Sequence, residues 1–132
     1  MLWATNAAIQ SIGEDALISF DTVIARTNDN VTVVDDQILI TEPGWYEIAV
    51  KGVFINLSSS NAIPAGVRLL SNEEEVPGSE TIWNVPASGY IPAYVSMPVH
   101  VVPAADGTAT LAWQMTNQAN LRDVMLMVER KI

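Results

Sequence analysis

Along this chain, apolar and polar residues alternate in short runs broken by Gly, Pro, Asn, Asp and Ser. A period of two marks a strand with one buried face, because successive side chains point to opposite sides. In 93–101, Ala93, Val95, Met97, Val99 and Val101 fall on one side, and Tyr94, Ser96, Pro98 and His100 on the other. In 109–115, Ala109, Leu111, Trp113 and Met115 oppose Thr110, Ala112 and Gln114. The same reading predicts ten strands, at 3–10, 16–25, 31–34, 37–41, 45–57, 65–71, 80–84, 92–102, 108–116 and 122–130. Between them lie the turns TNDN (27–30), EPG (42–44), SSSNAIP (58–64), EVPGS (75–79), PASG (86–89), PAADG (103–107) and TNQAN (116–120). Pro98 cannot donate to a ladder, which predicts an edge position or a bulge there. No segment carries the i, i+3, i+4, i+7 stripe of an amphipathic helix. Ten short strands in one domain spanning 1–132 imply an all-β antiparallel sandwich, or jelly roll.

Three strands break the one-faced rule. In 45–57, Tyr46, Ile48, Val50 and Phe54 share one parity, but Trp45, Ala49, Val53, Ile55 and Leu57 fill the other. The last strand sets Val124, Leu126 and Val128 against Met125 and Met127, and the first carries Leu2 and Trp3 beside Ala8 and Ile9. A strand apolar on both sides must meet a second hydrophobic surface. For a one-domain chain, the simplest such surface is another copy of itself. Trp45, Val53, Ile55, Leu57, Met125 and Met127 are therefore expected at a subunit interface, with Val50, Phe54, Leu126 and Val128 in the subunit's own core.

Composition agrees with surface lost to other chains. Of the 132 residues, 49% are hydrophobic and only 16% charged, against a typical charged share of about 25%. The net charge of −9 supplies no basic footprint for nucleic acid. No apolar run approaches the ~20 residues of a membrane-spanning helix. The N-terminal stretch MLWATNAAIQSIGEDA lacks the basic region and long apolar core of a signal peptide. With no cysteine there is no disulfide framework and no thiolate metal site.

Candidate chemistry is sparse. His100 is the sole histidine and sits on a strand beside Pro98, with nothing in the sequence to bring a nucleophile and a carboxylate to it. Glu73–Glu75 and Asp35–Asp36 lack the spacing of a calcium loop and read as solvated turns. No catalytic residue, cofactor or metal ligand is expected. Of the four tryptophans, Trp3, Trp45 and Trp113 read as packing or interface residues. Trp83, with Tyr90 across the loop NVPASG, is the pair that could stack on a sugar ring.

ITEPGWYEIAVKGVF (40–54) resembles the signature of the jelly roll shared by tumour necrosis factor and the complement-type globular head, where a polar turn ends in Gly-x-Tyr and leads into a long central strand. Gly44 and Tyr46 would be those positions. VSMPVHVVPAADGTATLAW (95–113) is similar to that family's apolar strand, turn and following strand, although the turn here is Asp106-Gly107 rather than Gly-Asp. The closing strand VMLMVERKI matches the family's terminal one. The resemblance implies a ten-stranded jelly roll packed as a homotrimer about a three-fold axis, with the C-terminal strand beside the central one and Tyr46 in the core. The Ala/Asn/Thr/Val-rich style is similar to the trimeric jelly rolls of bacteriophage virions. It implies a non-enzymatic capsid decoration (cement) protein, made in the host cytoplasm and seated on the capsid surface, where it bridges and stabilises the shell. The alternative is a receptor-binding fibre head or a carbohydrate-binding module. A fibre head normally follows a long shaft, whereas here a strand begins almost at Met1, which favours decoration.

Overall fold

The computed structural model describes residues 1–27 and 30–132, so the centre of the expected TNDN turn lies outside the described residues. The described chain forms twelve strands and no helix: β1 (Leu2–Asn6), β2 (Gln10–Ile12), β3 (Thr22–Arg26), β4 (Val31–Val34), β5 (Gln37–Ile40), β6 (Gly44–Ile55), β7 (Ile63–Ser71), β8 (Glu74–Glu75), β9 (Thr81–Val85), β10 (Tyr90–Val101), β11 (Ala109–Met115) and β12 (Ala119–Arg130). They build two antiparallel sheets. Sheet I runs β10-β6-β12-β1-β3, with β2 also on β12. Sheet II runs β4-β5-β11-β7-β8, with β9 also on β7. β10 pairs only with β6, so Pro92 and Pro98 lie on an edge strand, where a missing N–H does least harm.

The count differs from the expected ten for physical reasons. The expected strand 3–10 divides in two. Asn6 Oδ1 accepts the Ala8 N–H at 3.1 Å, turning the chain out of the ladder, and pairing with β12 resumes only at Gln10. β12 itself shifts register between Arg122 and Met125, where Asp123 sits at φ 53°, so both chains bulge at the same level. The expected strand 16–25 is a crossing rather than one strand. Ile18 N–H bonds the Trp113 carbonyl in sheet II, while Asp21 N–H bonds the Thr5 carbonyl in sheet I. Its alternating Ile18 and Phe20 are buried because the segment passes over the core. The other additional strand, β8, folds back on β7 through Asn72-Glu73, both at positive φ (50° and 71°), the geometry of a two-residue hairpin loop. Asp35-Asp36 does the same between β4 and β5.

The core lies between the sheets and follows the expected parities. Tyr46, Ile48, Val50 and Phe54 of β6, Leu126 and Val128 of β12, and Leu111, Trp113 and Met115 of β11 are all buried. Each large side chain removed from water contributes about 1.5–3 kcal/mol. Gly44 explains the Gly-x-Tyr turn. At φ 150° it takes a conformation few side chains adopt, and a Cβ there would stand 2.5 Å from the Ile132 carbonyl oxygen. That close approach lets the C-terminal residues extend the sheet. Lys131 N–H donates to the Trp45 carbonyl at 2.8 Å, and Trp45 N–H to that of Ile132 at 3.0 Å.

Candidate functional site

The register of sheet I brings the second apolar parity together on its outer side. Met125 lies across from Lys51, and Met127 across from Ala49. Trp3 is the next residue beyond Met127, and Thr5 the next beyond Met125. On the other flank, Tyr94 lies opposite Lys51, Pro92 opposite Val53, and Tyr90 opposite Ile55. Trp3, Tyr90 and Tyr94 are exposed, while Val53, Ile55, Met125 and Met127 are half-buried. Leu57, just past the end of β6, is 78% exposed. The result is one apolar field across four neighbouring strands. Period-two reading identified its centre, but not its flank on β10. Tyr90, Pro92 and Tyr94 could be assigned to it only once β10 was known to neighbour β6.

Polar residues interrupt the field, Arg122 directly opposite Val53 and Asn120 directly opposite Ile55 among them. Lys51 stands at its middle with no ion pair among the described residues, and with Asp123 it borders shallow grooves on either side. Nearer the start of β6, Glu47 and Glu129 face each other across the strands, with Lys131 Nζ 3.9 Å and 3.3 Å away. Ser96 donates to Glu47 at 2.6 Å. This charged row separates the field from Trp45, which is 47% exposed and stacks on His100 with ring centroids 5.1 Å apart. Of the six expected interface residues, five thus share one field or its margin, and Trp45 lies beyond the charged row.

Tyr46 marks the inner side of the same strand. It is buried, and its hydroxyl donates to the Glu42 carbonyl at 2.7 Å. Burial pushes its phenol pKa up from 10.0. The Arg130 charge acts in the opposite direction, and Glu42 adds to the rise.

The expected sugar-stacking pair is not brought together. Trp83 packs inward, partly buried, its ring 5.6 Å from Phe54 and tilted by 43°. Tyr90 projects from the outer side of the other sheet, beside Ile55. His100 touches Trp45 and, among the described residues, makes no hydrogen bond to a hydroxyl or carboxylate.

No protein family and no curated protein matches the chain. Solved structures do. The globular domain of zebrafish complement 1qA protein matches with a TM-score of 0.76 at 9% identity, covering 99% of this chain and 96% of that one. Murine APRIL, crystallised at pH 5.0, matches with a TM-score of 0.70 at 13% identity, covering 97% and 96%. The chain therefore has the jelly-roll fold of the tumour necrosis factor and complement-type heads. At these identities the likeness concerns fold alone.

Proposed function

We propose that the chain is a non-enzymatic structural subunit that associates with two further copies through the outer face of sheet I, and that the trimer decorates a bacteriophage capsid. The observation that carries the self-association is the apolar field of Trp3, Val53, Ile55, Tyr94, Met125 and Met127. It spans neighbouring strands, with Lys51 at its middle and Arg122 opposite Val53. Contiguous apolar faces of this kind mark interaction surfaces. In a three-fold ring, one side of this face on each copy meets the other side of it on the next, so the ring closes without leaving an open end. The edge strand β10, with Tyr90, Pro92 and Tyr94 contiguous with the field, is the patch that the neighbour would meet.

The mechanism is mechanical. A trimer at a three-fold or quasi-three-fold position of a shell touches adjacent capsomers together. Anything that binds only the assembled shell stabilises it by mass action. Three linked contacts raise the avidity of individually weak ones. The virion setting is supported by the sequence style, and the non-enzymatic reading by the lone histidine stacked on an indole. The test is to quantify the protein on purified particles. Decoration predicts a copy number matching the three-folds of the shell. A few copies at a fibre tip would instead make it a receptor-binding head. Absence from particles would overturn the virion reading, while the mass of the free protein tests the trimer separately.

A further inference from the structure

We draw no further inference here: the strongest candidate, the edge strand β3 of sheet I, with Val23 and Ile24 exposed and no strand beyond it among the described residues, is an unpartnered apolar surface, and nothing in the structure shows what covers it.

Discussion

On the outer side of sheet II, Arg68 donates to Gln114 at 2.6 Å and to Asp15 at 3.2 Å, and Gln114 donates to the Asp15 carbonyl at 2.9 Å. The segment around Asp15–Ile18 lies alongside β11 there, bonded to Met115 and Trp113. On the outer side of sheet I, Trp3 adjoins Met127, Met125 and Tyr94 flank Lys51, and Val53 and Ile55 continue the same parity beside Arg122 and Asn120. The inner sides are alike, each filled by buried aromatic and branched residues. Sheet II shows that this fold forms with a hydrogen-bonded outer face and with isolated exposed apolar residues such as Ile82, which are ordinary on any surface. The apolar field of sheet I is therefore not a requirement of the sandwich, which is why we propose that it serves contact with another copy.

Four measurements can break or sharpen this contrast. The largest effects are expected on the inner sides, equally in both sheets. Tyr46→Ala and Trp113→Ala should each cost about 3–5 kcal/mol in denaturant titration, as aromatic truncations in cores do. A cost under about 1 kcal/mol for Tyr46→Ala would mean that its parity is wrong. On the outer sides the sheets should diverge. Ile55→Asp or Met127→Lys places an unpaired charge in the apolar field of each copy, at several kcal/mol per burial, and should drive sedimentation toward the single-chain mass. Unchanged sedimentation and melting for both variants would show the field to be simply exposed.

A smaller effect concerns pH. The folded chain holds the Tyr46 proton more tightly than the unfolded chain does, because burial opposes phenolate. This contribution is complete below pH 10.0 and is lost as pH rises through the higher folded-state value. Tyr46→Phe should remove that alkaline decline while costing about 1 kcal/mol for the lost hydrogen bond to Glu42. An identical alkaline profile in the variant would assign the decline to other groups. The smallest effect is the control. Thr110→Lys, on the outer parity of sheet II, should stay within about 0.5 kcal/mol of neutral and leave the mass unchanged.

Much of the fold was legible because burial on one face leaves a period-two trace, which β10 and β11 carry over twelve and seven residues, while β6 and β12 read as long apolar strands. What failed was local. Ile18 and Phe20 alternate like strand residues, but a segment crossing between two sheets also buries every second residue. Alternation cannot tell it from a strand. The break after Asn6 depends on a side-chain bond to Ala8 and on the bulge at Asp123, more than a hundred residues away in sequence. The apolar field was legible at Val53, Ile55, Met125 and Met127, because double parity needs no knowledge of neighbours. Its separation from Trp45 was not, since the charged row joins Glu47 to Glu129 across two strands. Trp83 and Tyr90 looked like a pair from their shared loop, yet the strands on either side of that loop belong to different sheets.

Self-association through sheet I is tested most directly by the mass of the unmodified protein in solution. Sedimentation equilibrium at micromolar concentration should give three times 14.3 kDa, with no dependence on salt beyond a modest shift, because the field is mainly apolar. A single species of 14.3 kDa across that range would contradict the assembly reading and leave the outer face of sheet I to a different partner.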